Sequence, residues 1–288
     1  MDFNPNARLD GNISSAGGSG GGRGGGIAIG GVGGVIMLVL ALLFGVNPSN
    51  ILGGSPAEQG PTVDSGQCTT GADVASNREC RWKAYVTSIE DFWQGRLNGY
   101  TSAPTVTFTG QVNTGCGTAS SQVGPFYCPA DKTVYIDTAF ADQLLQQLGA
   151  EGGDAAEAYI LAHEYGHHVS DLTGQLAKAQ ASGNQTGPTS ASVRSELQAD
   201  CYAGVWFHNV AAGNDPILSG VTQDDINRVS DAAQAVGDDR IQQASQGYVQ
   251  PESWTHGSAR MRHKWLETGF SSGDPSRCDT FSTNNLGQ

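Results

Sequence analysis

The distribution of apolar and polar positions divides the chain into four segments. Residues 1–26 are polar and Gly-rich, and such a segment buries too little apolar surface to offset the entropy lost on ordering. Residues 27–46 carry no charged or strongly polar side chain over 20 positions, and a helix of that length spans the ~30 Å core of a bilayer. Residues 47–66 are rich in Pro, Gly, Ser and Asn, and apolar periodicity returns in residues 67–288. We therefore predict a disordered cytoplasmic tail, a transmembrane helix, a linker and one folded domain.

The apolar segment is either an uncleaved membrane anchor or a secretory signal peptide. A signal peptide has a shorter apolar region with a small-x-small cleavage site soon afterwards, and no clear Ala-x-Ala follows Val46. We therefore expect an anchor. Arg8 and Arg23 precede the span, whereas no Lys or Arg follows it before Arg78. By the positive-inside rule, the chain crosses the cell membrane once, with its N-terminus in the cytoplasm and its domain outside.

The cysteines agree with an oxidising compartment. All six lie after the apolar segment, at Cys68, Cys80, Cys116, Cys128, Cys201 and Cys278. An even number of cysteines outside a membrane segment suits disulfide bonds. We expect Cys68–Cys80 and Cys116–Cys128 to close local loops, which leaves Cys201 to pair with Cys278. Buried free thiols or a second metal site are the alternatives, although no Cys-x-x-Cys is present for a zinc site of four cysteines.

The net charge excludes one class of partner. The chain carries a formal charge of −13 at pH 7, and nucleic-acid binding requires a basic face that neutralises phosphates. We therefore expect no nucleic acid among its partners.

One helical segment carries a metal-binding pattern. Apolar residues recur at helical spacing over 154–172, and the segment contains His163-Glu164-Tyr165-Gly166-His167. Positions i and i+4 share one face of a helix, so both imidazoles reach a single zinc ion. Glu164 lies beside them and is placed to contact a metal-bound water. The alternative is a charged helical face on which the histidines are incidental.

A third ligand comes from a second predicted helix, 194–210. The metzincin pattern is absent, because a serine and a threonine stand at 170 and 173. Glu196 and Asp200 share a helical face. We assign Glu196 as the ligand and Asp200 as the acceptor of a histidine N–H, which is the two-histidine, one-glutamate set of gluzincins. Two alternatives remain open: Glu196 and Asp200 as a pair of surface carboxylates, or Asp200 as the ligand in place of Glu196.

The remaining histidines are His168, His208, His256 and His263. His168 points about 100° away from His167 on the helix and is not expected to bind the metal. His208 is assigned to the surface or core, and His263 to a solvated charged face. His256 lies among turn formers, where it either hydrogen-bonds the oxyanion of a tetrahedral intermediate or shapes a loop.

An ordered series of motifs extends over nearly the whole chain. They are GVNP at 45–48, TGCG at 114–117, GPFYCP at 124–129, VYID at 134–137, HEYGHHV at 163–169, SELQADCYAGVW at 195–206, VGDDRIQ at 236–242, WTHGSA at 254–259 and CDTF at 278–281. Through this series the chain resembles the bacterial family of putative neutral zinc metallopeptidases. The resemblance implies that His163, His167 and Glu196 bind the metal and that Glu164 carries the chemistry.

The expected fold is α+β and mainly helical, a zincin-like domain preceded by the transmembrane helix. Val106–Phe108 and Thr133–Ile136 are predicted to be short strands before the metal-binding helix. By analogy with zincins, one such strand borders the cleft.

The expected function is that of a membrane-anchored, gluzincin-like zinc metalloendopeptidase. It binds one Zn²⁺ and hydrolyses a peptide or protein substrate, with Glu164 as the general base for a zinc-activated water. Two alternatives are kept. The first is a zinc-binding envelope protein without turnover, acting as an interaction or assembly module. The second is a metal-free, membrane-anchored binding domain held by disulfides.

Overall fold

The computed structural model describes residues 1–16 and 66–288. Helices predominate, as the sequence predicts, and they are α1 (Asp73–Ser76), α2 (Cys80–Arg96), α3 (Thr138–Gln147), α4 (Asp154–Leu172), α5 (Gln175–Ala181), α6 (Ala191–Ala211), α7 (Gln223–Ala235), α8 (Asp238–Gln246) and α9 (Ala259–Ser272). The strands are β1 (Asp2–Phe3), β2 (Ile13–Ser15), β3 (Thr105–Thr107), β4 (Gln111–Thr114), β5 (Gly117–Ser120), β6 (Phe126–Cys128), β7 (Thr133–Ile136) and β8 (Leu218–Ser219). Helices α4 and α6 are the two that the sequence predicts for the metal ligands.

A mixed four-stranded sheet supports α4, with its strands in the order β2, β3, β7, β6. β2 and β3 run parallel with Ile13 opposite Thr105, and β3 and β7 run parallel with Thr105 opposite Val134. β6 pairs antiparallel with β7 and forms an edge of the sheet. The predicted strand Thr133–Ile136 is confirmed, and the one predicted at 106–108 begins one residue earlier. β6 lies against α4, so the sheet holds one side of that helix in place.

Glycine allows the central helices to cross at very short distance. A Cβ atom added at Gly166 in α4 would lie 2.8 Å from the Cα of Ala199 in α6. One added at Gly269 in α9 would overlap the carbonyl oxygen of Cys201 in α6. The three helices therefore pack backbone against backbone, which brings their inner faces to one place.

The N-terminal residues pack into the folded domain. β1 pairs antiparallel with β8, and β2 extends the sheet beside β3. Ala7, Leu9 and Ile13 are buried in the hydrophobic core. Residues 1–16 therefore differ from the disordered tail predicted for 1–26, because these apolar side chains bury enough surface to order the segment. Residues 17–26 lie outside the described part of the chain.

The predicted transmembrane helix requires correction. Residues 27–46, and most of the predicted linker, lie outside the described residues. Among residues 1–16 and 66–288, no helix combines the length and the apolar character needed to cross a membrane. Over the described residues, the fold class is corrected to a mainly helical fold with small sheets.

The predicted single-pass arrangement in the cell membrane also requires correction. It places the N-terminal tail in the cytoplasm and the domain on the other side of a membrane. In the structure, β2 pairs with β3, and the backbone N–H of Leu9 donates to the carbonyl of Thr69 at 2.9 Å. Segments that share backbone hydrogen bonds lie on the same side of any membrane, so the single-pass arrangement with the two on opposite sides is excluded.

The three predicted disulfide bonds are confirmed. The Cα–Cα separations are 5.3 Å for Cys68–Cys80, 5.8 Å for Cys116–Cys128 and 5.5 Å for Cys201–Cys278. All six cysteines are paired, which removes the alternatives of free thiols and of a metal site built from cysteines. The Cys201–Cys278 bond joins α6 to the short turn Pro275–Cys278 near the C-terminus, in which Cys278 is buried.

We expect Gly269→Ala to lower the free energy of unfolding by about 1–3 kcal/mol, because the added methyl group overlaps the backbone of α6. Urea unfolding followed by circular dichroism measures the change. Gly95→Ala is the matched control, since Gly95 is exposed in α2 and an added Cβ meets nothing within 4 Å. Helix propensity should make that control about 0.5–1 kcal/mol more stable. Equal effects of the two substitutions would contradict the close helix crossing.

Candidate metal centre

Helix α4 carries three of the predicted site residues into the interior. It packs against the sheet, α6 and α7, and the side chains of His163, Glu164 and His167 are buried. Polar and ionisable groups at this depth are costly unless they are paired or bind a metal. These three side chains therefore need hydrogen-bonding groups, opposite charges or a metal ion beside them.

The structure brings the three predicted metal ligands together. One candidate ligand atom from each of His163, His167 and Glu196 lies within 4.8 Å of the other two. Glu196 Oε2 is 3.1 Å from His163 Nε2, and Glu196 Oε1 is 3.4 Å from His167 Nε2. Two imidazoles and a carboxylate are the donor set of catalytic zinc sites that keep one position open.

The unpaired atoms of this cluster suit a cation. Among the described residues, Glu196 Oε1 is buried and accepts no well-aligned hydrogen bond. Burial disfavours the Glu196 carboxylate, but the neighbouring imidazoles of His167 and His163 hold its pKa well below the ordinary value. A buried carboxylate with free acceptor capacity between two imidazoles has the chemistry that a zinc ion requires.

Asp200 lies on the opposite side of His163 from Glu196. Its Oδ1 is 2.8 Å from His163 Nδ1, whereas His163 Nε2 faces Glu196. The same carboxylate accepts hydrogen bonds from the Arg262 Nε and Nη2 atoms, both at 2.8 Å, and from the Tyr159 hydroxyl at 2.6 Å. Asp200 is thus placed to orient the ring of His163 and lies outside the ligand cluster.

These contacts shift the pKa values of His163 and Asp200 in opposite directions. Burial alone would lower the pKa of His163, but the charge and hydrogen bond of Asp200, together with Glu196, raise it to about 10. Burial alone would raise the pKa of Asp200, but Arg262 and His163 lower it to about 2. In the metal-free protein a proton on His163 supplies the positive charge that a cation would otherwise provide.

Unlike Asp200 and Glu196, Glu164 is a buried carboxyl group whose pKa is raised. Burial is the largest effect and raises the pKa of its carboxyl group, and the negative charge of Glu196 adds to this. The two imidazoles and the backbone N–H of Tyr127 in β6 act against the rise without cancelling it. A buried carboxylate with a raised pKa is suited to accept and return a proton near neutral pH.

His256 lines the same cavity as the metal cluster. Its Nδ1 lies 3.1 Å from Oδ1 of Asp238, and its backbone N–H donates to Asp238 Oδ2 at 2.7 Å. Burial would lower the pKa of His256, but the charge and hydrogen bond of Asp238 raise it. The loop therefore presents an imidazole whose charged form is stabilised.

The other histidines lie outside the cluster. His168 is buried, with Nδ1 3.0 Å from the Tyr127 hydroxyl and Nε2 2.7 Å from the carbonyl of Thr101. His208 is bonded to the carbonyl of Phe270, and His263 to Ser230. His168 thus joins α4 to β6 and does not face the other imidazoles.

Three residues of the site are absent from the sequence predictions: Tyr159, Asp238 and Arg262. Arg262 stands in a basic run that resembles a solvated face, yet it is four residues before Leu266 and three before Trp265, both buried. That helical period was the available signal for its burial. Asp238 begins a helix, where an aspartate ordinarily serves the helix terminus, so the sequence offers no sign of its contact with His256.

The site thus defines a mainly helical α+β protein with a buried cluster of two histidines and one glutamate that can hold a metal ion. Residues 4–281 match the family described as "Putative neutral zinc metallopeptidase", and the chain belongs to this family. The resemblance noted in the sequence motifs is therefore confirmed for nearly the whole chain.

The relatives share most of their length with this protein. It is 48% identical over 256 residues to the uncharacterized protein Rv2575 of Mycobacterium tuberculosis (strain ATCC 25618 / H37Rv), covering 86% of this chain and 87% of the relative. It is 40% identical over 263 residues to the uncharacterized protein YpfJ of Escherichia coli (strain K12), covering 87% of each chain. The names of these relatives state no activity. No solved structure matches the chain.

We expect the apparent affinity for Zn²⁺ to rise with pH by up to about tenfold per unit, well beyond pH 7. The sign follows from His163, whose pKa of about 10 keeps it protonated at neutral pH, so that zinc must displace that proton. Competition with a chelator of known affinity at several pH values measures the slope. Asp200→Asn removes the largest cause of the raised pKa of His163. The increase in zinc affinity should therefore stop at a lower pH in this variant. An affinity that is constant above about pH 7, as for an unperturbed histidine, would contradict the interpretation.

Proposed function

We propose that the protein is a zinc-dependent metallopeptidase that hydrolyses peptide bonds in peptide or protein substrates. The observation that carries the proposal is the convergence of His163, His167 and Glu196, with Glu164 in the same cavity. This ligand set is that of catalytic zinc sites in peptidases. Membership of a family described as zinc metallopeptidases supports the same assignment.

The residues of the chain divide the chemistry between them. His163, His167 and Glu196 would hold a zinc ion, which would supply Lewis acidity toward the attacking water molecule and the scissile carbonyl group. Glu164 accepts the proton of that water as general base. Its raised pKa makes it a stronger base than an exposed glutamate. The protonated Glu164 then donates to the departing amine and returns to the carboxylate.

His256 is assigned as the hydrogen-bond donor to the carbonyl oxygen of the scissile bond, which becomes negative when water attacks. Its Nδ1 faces Asp238, so Nε2 is the nitrogen available to a substrate. A protonated imidazole donates a hydrogen bond that is stronger to an oxyanion than to a neutral carbonyl, so it stabilises the transition state. Asp200, Arg262 and Tyr159 act through His163, whose ring they hold in one orientation.

Glu164→Gln keeps the shape of the side chain and removes the base. In the full-length protein we expect one zinc per chain in both wild type and variant, measured by elemental analysis. Casein hydrolysis that a chelator abolishes should occur in the wild type and fall by about 10²–10⁴-fold in the variant.

Glu252→Gln is the matched control, because Glu252 is an exposed glutamate in a surface turn. It should leave both zinc content and hydrolysis unchanged. One zinc without hydrolysis in the wild type would favour the alternative of a zinc-binding interaction module. A wild-type protein that binds no zinc would overturn the proposal.

His256→Gln should lower kcat by about 10²–10³-fold with a much smaller effect on KM, since the bond forms in the transition state. The acid form of His256 is the active one, so activity should decline as pH rises through its pKa. Asp238 raises that pKa, so Asp238→Asn should move the alkaline limb of the pH profile to lower pH. An unmoved limb would show that His256 does not act as this donor.

A further inference from the structure

The cavity that holds the metal cluster continues into an apolar region. Its apolar walls come from Val123 ahead of β6, Leu144 and Leu148 at the end of α3, Ile160 in α4, and Val236 and Ile241 at the junction of α7 and α8. Ile160 stands one helical turn before Glu164, so the apolar region begins next to the reacting groups.

Two polar side chains of the lining, Arg262 and Tyr159, are already paired within the protein. Arg262 reaches the cavity, but its Nε and Nη2 atoms both donate to Asp200. The Tyr159 hydroxyl also donates to Asp200. The guanidinium charge is therefore balanced by Asp200 from within the protein, and the aliphatic walls themselves offer no group that pairs with a charged side chain.

We propose that this apolar region is the pocket for one side chain flanking the scissile bond, and that it selects peptides carrying a large apolar residue there, such as leucine or phenylalanine. The proposal rests on the proposed peptidase function and specifies its substrate class. Each buried methylene contributes about 0.8 kcal/mol to binding, whereas a charged side chain would lose its hydration without gaining a partner. Affinity should therefore increase with apolar size and be lowest for an acidic side chain.

The test measures binding, so it does not depend on turnover. The probes are N-acetyl amino-acid hydroxamates of leucine, phenylalanine, alanine and aspartate, titrated calorimetrically into the zinc-loaded, full-length protein. The hydroxamate anchors each probe at the metal, and only the side chain differs. We expect the leucine and phenylalanine probes to bind about 10- to 50-fold more tightly than the alanine probe. The aspartate probe should bind more weakly than the alanine probe.

Substitutions at Leu148 test whether the apolar pocket causes the expected order of probe affinities. Leu148 is half-buried, so its truncation costs less packing than that of a fully buried leucine. Leu148→Ala should weaken the leucine probe about 3- to 10-fold and leave the alanine probe unchanged. Leu148→Arg should reverse the order, favouring aspartate over leucine. Leu97→Ala is the matched control, since Leu97 is also half-buried, follows α2 and does not line the cavity.

Equal affinities across the probes would overturn the proposal, as would an unaltered order in Leu148→Arg. Failure of every probe to bind would overturn it as well. Casein hydrolysis by the same preparation separates this proposal from the proposed function. The expected affinity order without hydrolysis would support the pocket and refute the peptidase, whereas hydrolysis with equal affinities would refute the pocket alone.

Discussion

The site depends on the burial of ionisable side chains where α4 and α6 cross. Gly166 lets the backbones approach so closely that the polar groups between the helices are removed from bulk water. An ion desolvated in this way costs several kcal/mol unless an opposite charge or a metal lies beside it. The positions of His163, Glu196 and Asp200 are thus constrained by charge balance as much as by packing.

Two compensating networks meet this constraint, and both come from the C-terminal part of the chain. Arg262 from α9 neutralises Asp200, which in turn holds His163. Asp238 at the start of α8 neutralises His256. Helices that follow the metal-binding segment by many residues therefore complete the site. The Cys201–Cys278 bond and the hydrogen bond from Gln198 to the Cys278 carbonyl hold this part of the chain against α6.

The cavity combines two kinds of surface that suit different tasks. The metal cluster, Glu164 and His256 contribute groups that exchange protons or stabilise charge. Aliphatic side chains form the apolar part of the same lining. The edge strand β6 connects the sheet to the site. The backbone N–H of Tyr127 in this strand contacts Glu164, and β6 also packs against α4. The groups proposed for catalysis and those proposed for substrate selection are therefore different side chains of one cavity.

Local geometry explains what the sequence by itself determined. The i, i+4 spacing places His163 and His167 on one helical face whatever surrounds the helix, and the same holds for Glu196 and Asp200. The nearby cysteine pairs and the strand Thr133–Ile136 are likewise products of short-range order. Tertiary structure decided that Asp200 rather than solvent meets His163, that Arg262 and Asp238 are the balancing charges, and that residues 1–16 join the sheet. The length of the apolar segment 27–46 and the arginines that precede it could not reveal that residues 1–16 join the sheet. The contacts of a segment with distant strands depend on the whole fold, whereas periodicity depends only on the backbone.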